Sequence, residues 1–213
     1  MEVYINRRLV MKTILKILII FCIFLLLKEC MGIFYIKMTH LSHDDLKWIK
    51  PAELYPTGVF MSNSGKKGRL VIIFNQINND SNPFYISSSG STYQANAGYK
   101  YILKQDGFKI EGYFWIDVSL ETDSLEFSAG LNRFYTHSNS SLNESYRPLV
   151  SQRVIINGQT FNDCLIIDNS NSKYTEDVPH KISKYIISKK YGLIYYEFES
   201  GERYYRIFKK QDD

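Results

Sequence analysis

The strongest constraint on this chain is a period-two alternation of apolar and polar residues. In GFKIEGYFWIDVSL the even positions Phe108, Ile110, Phe114, Ile116, Val118 and Leu120 are apolar, and Lys109, Glu111, Asp117 and Ser119 stand between them. Successive strand side chains point to opposite faces, so this segment reads as a strand with one buried face. The same pattern runs through Tyr93, Ala95, Ala97, Tyr99, Tyr101 and Leu103, and again through Leu125, Phe127, Ala129 and Leu131. RLVIIFNQI is apolar on both parities, which predicts a central strand covered on both sides. The 17 tyrosines and 13 phenylalanines suit this reading, because aromatic rings pack well on a pleated surface.

Turn chemistry supplies the connections. Asn157-Gly158 is a strong hairpin signal and would set Val154 against Phe161. QDG at 105–107 closes another hairpin. SNSGKKG fails the phosphate-loop pattern, with Phe60 and Lys67 at required positions, and reads as a turn. A two-residue turn at Ser200-Gly201 would pair Tyr196 with Tyr205, Ile194 with Ile207 and Phe198 with Arg203, and Gly192 marks a bulge or bend. HSNSSLNESY and DNSNSKYTEDVPHK read as long, polar, mobile loops. In THLSHDDLKWIKP, Ser42 and Asp45 form a capping-box pattern for one short helix, with Pro51 beyond its end and Leu46 and Ile49 facing the sheet. The expected fold is mainly β: an antiparallel sandwich or partial barrel with one short helix and an amino-terminal signal or transmembrane helix.

That amino-terminal segment is RRLVMKTILKILIIFCIFLLLKECMG. Ile17 to Leu27 is uninterrupted apolar and follows Arg7, Arg8, Lys12 and Lys16, the layout of an export signal; Met11 is an alternative start. Eleven helical residues span about 16 Å, short of a hydrocarbon core of roughly 30 Å, which favours a cleaved signal. The lack of a small-x-small cleavage site, and the apolar patch Met31 to Ile36, favour a retained anchor. A third reading is lipidation at Cys30. Residues 1–36 are accordingly read as signal or anchor and 37–213 as an extracytoplasmic β domain, since the basic flank stays in the cytoplasm.

Charge and cysteine content narrow the function. Of 26 basic and 22 acidic residues, five and two lie in the first thirty, leaving a nearly neutral body of 21 and 20. Nucleic acid is therefore not an expected partner. Cys22 and Cys30 belong to the amino-terminal segment, so Cys164 is the body's one thiol, too few for a disulfide framework. No cofactor is indicated.

The pattern LSHDDLKWI…Y…F…SG…RLVII, followed by TFNDCLIID and YIISKKYGLIYYEFESGERY, resembles small envelope proteins of Bacteroidetes bacteria, often lipoproteins, with a tyrosine-rich carboxyl-terminal strand. The resemblance covers about Leu41 to Ile207. It implies an exported all-β domain and no catalytic residues.

Candidate chemistry is sparse. His40, His43 and Asp44 lack the H-E-x-x-H spacing, and no metal site is assigned. Asp163-Cys164 with His137 or His180 would make a thiol nucleophile and base, but Cys164 falls where a strand expects a small apolar residue. Glu111 and Asp117 lie on the polar side of one strand, roughly 20 Å apart, too far for a glycosidase pair. Tyr113 and Trp115 share that polar parity. Either a second sheet or the short helix covers them, or they form a contact patch for a partner or ligand. The expected function is a non-catalytic, envelope-tethered interaction module, in its sharpest form one that neutralises a toxin. An envelope-polymer hydrolase and a lipid or small-ligand carrier with a hollow interior are the alternatives.

Overall fold

A computed structural model describes residues 13–23, 26, 37–79, 92–105, 107–137 and 149–208. The chain divides into two units, residues 1–38 with 81–93, and residues 39–80 with 94–213. In the first, residues 13–23 form helix α1 with exposed side chains, and β1 (Lys37–Met38) pairs in parallel with β4 (Thr92–Tyr93). Among the described residues no helix is long and apolar enough to cross a membrane. Arg7, Arg8, Met11 and Cys30 lie outside the described residues.

The second unit is one antiparallel sheet with two short helices. The helices are α2 (His43–Leu46) and α3 (Lys50–Leu54). The strands are β2 (Thr57–Ser62), β3 (Lys67–Asn78), β5 (Asn96–Gln105), β6 (Phe108–Val118), β7 (Leu125–Leu131), β8 (Phe134–His137), β9 (Gln152–Ile156), β10 (Gln159–Asp168), β11 (Lys173–Tyr174), β12 (Ile182–Ser188), β13 (Gly192–Phe198) and β14 (Arg203–Ile207). Their order is β11-β8-β7-β6-β5-β3-β2-β14-β13-β12-β10-β9. This sheet curls into a half-barrel, so the partial barrel is the form taken, and among the described residues no sheet packs on it as a sandwich.

The curl brings strands that are distant in the sheet together through side chains. Tyr174 on β11 donates to the Ile182 carbonyl on β12 at 2.8 Å, and the Phe134 and Tyr185 rings of β8 and β12 meet edge-on at 6.2 Å. Gln105 of β5 donates to the Tyr196 hydroxyl of β13 at 2.5 Å. The concave face is filled by Phe60, Tyr99, Tyr101, Phe114, Tyr185 and Tyr196, all under 3 % exposed. Six of the 17 tyrosines, Tyr99, Tyr101, Tyr185, Tyr195, Tyr196 and Tyr204, are therefore core.

The alternation on β6 holds, with Ile110, Phe114, Ile116 and Val118 buried on the inward parity. The capping box of α2 also holds: Asp45 N donates to Ser42 Oγ at 3.1 Å, and Ser42 N to Asp45 Oδ2 at 2.8 Å. Satisfying those two amides stabilises this single turn by about 1 kcal/mol. Ile49 is buried and Leu46 half-buried, and Trp48 between them packs on Phe114 and Phe127 at 5.8 and 5.2 Å. Pro51 does not close the helical segment. It sits in the first turn of α3, where its missing N–H costs nothing, so there are two short helices instead of one.

Several turns form as expected. Asn157 and Gly158 both have positive φ, 48° and 77°, and Val154 pairs with Phe161. Gln105 pairs with Phe108. Gly192, read as a bulge or bend within a strand, instead takes φ 72° and ends a full chain reversal between β12 and β13, in which Ser188 pairs with it.

Four further expectations are corrected. β3 is central in the sheet but not covered on both faces, because a bulge between Ile72 and Phe74 turns Ile73 and Phe74 outward, 53 % and 42 % exposed. The final hairpin is wider than two residues: Gly201 N donates to the Phe198 carbonyl, Phe198 N to the Glu202 carbonyl, and Gly201 takes φ 83°. Its register therefore slips by one, pairing Tyr195 with Tyr205, Tyr196 with Tyr204 and Glu197 with Arg203. This register sets Glu197 and Arg203 in an ion pair at 3.1 Å. The loop at 168–181 contains strand β11, stitched by Asp168, Asn171 and Ser172; residues 138–148 of the other loop lie outside the described residues. Tyr93, finally, belongs to β4 and not to the start of β5.

Candidate interaction surface on the outer face of the sheet

On β6 the even positions point inward, so Tyr113 and Trp115 point out. Cross-strand register places them in two rows: Phe74, Lys100, Tyr113, Gly130 and Tyr135, and beside it Gln76, Gly98, Trp115, Ser128 and His137. Each of the two rings lies over a glycine of a neighbouring strand. A Cβ on Gly98 would stand 2.3 Å from Trp115 Cδ2, and one on Gly130 would stand 2.4 Å from Tyr113 Cε1. The absent side chains open the shelves on which the rings rest, the aromatic compensation of strand glycines seen in stable sheets.

Among the described residues the rings are thus half-buried by their own sheet, while Trp48, between α2 and α3, packs on the opposite face. Phe74, turned out by the β3 bulge, comes within 6.2 Å of Trp115, and Lys100 Nζ stands 6.0 Å from the Phe74 centroid. Beside them is a concavity of about 670 Å³ lined by Ile73, Lys100, Glu111, Tyr113, Arg133 and Tyr135, among others. Arg133 is held by Glu176 at 2.7 Å. Burial pushes the Tyr113 hydroxyl above its ordinary range, so it stays a neutral donor.

Charge grades across this face. At one end Arg69, Lys104 and Lys109 lie opposite one another on three strands, a repulsive arrangement. At the other, Asp117 lies opposite Glu126, with Gln94 Nε2 donating to Asp117 Oδ1 at 2.9 Å and His137 Nε2 3.8 Å from Glu126. Burial, and then the neighbouring Glu126 charge, hold the Asp117 carboxyl above the usual range. Sequence set Asp117 six positions from Glu111 on the same strand, too far to act with it. The structure pairs it with Glu126 instead, a partner that only register reveals.

The remaining candidates disperse. Cys164 is fully buried, its thiol pushed up to about 11 by burial, and it donates to the Asn162 carbonyl at 3.5 Å. The two histidines considered as its base lie elsewhere: His137 beside Glu126, and His180 stacked on Phe108 with centroids 4.0 Å apart. His43 opens α2, Asp44 pairs with Lys47 and Lys189, and among the described residues no three His, Cys, Asp or Glu side chains could hold a metal ion. No family model, curated protein or solved structure matches the chain.

Proposed function

We propose that this protein is an envelope-tethered interaction module that acts by binding, through the outer face bearing Phe74, Trp115, Tyr113 and Tyr135. The observation that carries this reading is the row of rings resting on Gly98 and Gly130, with Ile73 and Phe74 exposed beside it. Exposed aromatic clusters are uncommon on monomers and common at interface centres. The filled concave face favours the outer surface over the interior as the place of binding. The basic and apolar amino-terminal segment, and the resemblance to exported proteins, support a body held outside the cytoplasm.

The partner is a protein, in the sharpest form a toxin arriving in the same compartment, which the module neutralises by covering it. A photo-crosslinking residue at position 115 tests this in the full chain. Crosslinks to a co-encoded toxin from position 115, and none from position 155 on β9, are expected. Undiminished toxin sensitivity in cells expressing the chain, or a carboxyl-terminal reporter active only in the cytosol, would end the reading.

A further inference from the structure

A second concavity lies away from the aromatic face, where α2 and α3 meet the ends of β10, β12 and β13. It encloses about 470 Å³, within the common range of small-molecule sites of roughly 300–1,000 Å³. Its wall gathers Lys47 and Lys50 from the helices and Lys189 and Lys190 from the turn after β12, against a single acid, Asp163. Lys47 and Lys189 share one carboxylate, Asp44, at 3.0 and 2.5 Å. Neither Lys50 nor Lys190 has a carboxylate within 4 Å among the described residues.

A fifth cation stands behind the wall. The Arg206 guanidinium is largely buried, with Nη1 donating to the Tyr191 and Leu193 carbonyls and Nη2 to the Thr57 carbonyl, and it stacks on Tyr55 and Phe208. Among the described residues it has no carboxylate partner, and burial lowers its proton affinity. Four lysines therefore line the cleft against one lining carboxylate, Asp163, with Asp44 paired to two of them, although the body as a whole is close to neutral.

We infer that this cleft binds a phosphomonoester. Lysine ammonium groups act as point charges arriving from separate directions, which suits a tetrahedral dianion; no exposed guanidinium fork is present to favour a planar carboxylate. Thr160 and Asn162 supply neutral donors beside the lysines. Leu54, Phe161 and Tyr191 form an apolar wall for the organic part of the ester. The site is distinct from the aromatic face, and its loss leaves the interaction reading intact.

The test is a thermal-shift titration of the full chain in detergent with glycerol 3-phosphate, inorganic phosphate, and chloride at matched ionic strength, alongside vesicles of phosphatidylcholine with and without phosphatidic acid. A saturable stabilisation by the phosphate compounds is expected, weakened about tenfold or more in the Lys50→Ala/Lys190→Ala variant, as for loss of charged hydrogen bonds. Both side chains are exposed, so the ligand-free melting point of the variant stays that of the wild type. A response confined to phosphatidic acid vesicles assigns the phosphate to a lipid headgroup. An equal response in chloride, an equal response in the variant, or none with any phosphate overturns the inference.

Discussion

Trp115 rests on Gly98 so closely that a methyl group on the glycine would come within 2.3 Å of the indole and 2.6 Å of the Phe114 carbonyl. The contact joins sequence to surface: a glycine in mid-strand normally weakens a sheet, and here its cost is offset by the ring lying over it.

Gly98→Ala is therefore expected to destabilise the domain by about 1–3 kcal/mol, the usual penalty of overpacking, and to lift Trp115 off the sheet. Chemical denaturation followed by circular dichroism measures the first. Loss of crosslinking from neighbouring positions on β6 measures the second.

Gly201→Ala is expected to cost about 1 kcal/mol, because its φ of 83° disfavours any side chain. Gly201→Asn should cost less, since asparagine tolerates that region better. Melting curves of the two variants check the order, and an equal effect would show that the turn is not held as described.

Cys164 gives a pH dependence. Burial raises its thiol pKa to about 11 from an ordinary value near 9, so between those limits the unfolded chain has lost more protons than the folded one. Its contribution is fully present below pH 9 and declines as pH rises toward 11, by at most about 1.4 kcal/mol per unit. In a Cys164→Ala variant the alkaline fall in stability should be shallower. Alkylation of Cys164 should likewise await unfolding.

Asp117→Asn should stabilise the domain at neutral pH. Asp117 is half-buried opposite Glu126, and its raised pKa means that folding favours its protonated form. Its contribution is complete in acid, below its unfolded pKa, and lost as pH rises through the folded one, so the advantage of the variant should vanish in acid. Melting points across pH 3 to 8, where about 4 is the ordinary pKa, would reveal the convergence.

Much of the fold was legible in the sequence because a strand writes its faces into alternate residues. The inward set of β6, the Asn157-Gly158 hairpin with its Val154–Phe161 pair, and the Ser42–Asp45 cap all depend on neighbours within a few positions. Tyr113 and Trp115 were placed on the outer face by the same logic. What covers them was not legible, since Gly98 and Gly130 reach those rings only through pairing with other strands.

Long-range features lay beyond the sequence for the same physical reason. A one-residue change in the turn before Glu202 exchanged every partner in the last hairpin, and one bulge turned Ile73 and Phe74 from expected core to exposed surface. Lysines at 47, 50, 189 and 190 cancel against distant acids in a net-charge count and become a basic cleft only when α2 and α3 meet the β12–β13 turn. By itself the chain determined that it would be mainly strands with one apolar face, because alternation acts residue by residue. Register, curl and the gathering of charge were decided by tertiary structure, because each depends on which strands lie side by side.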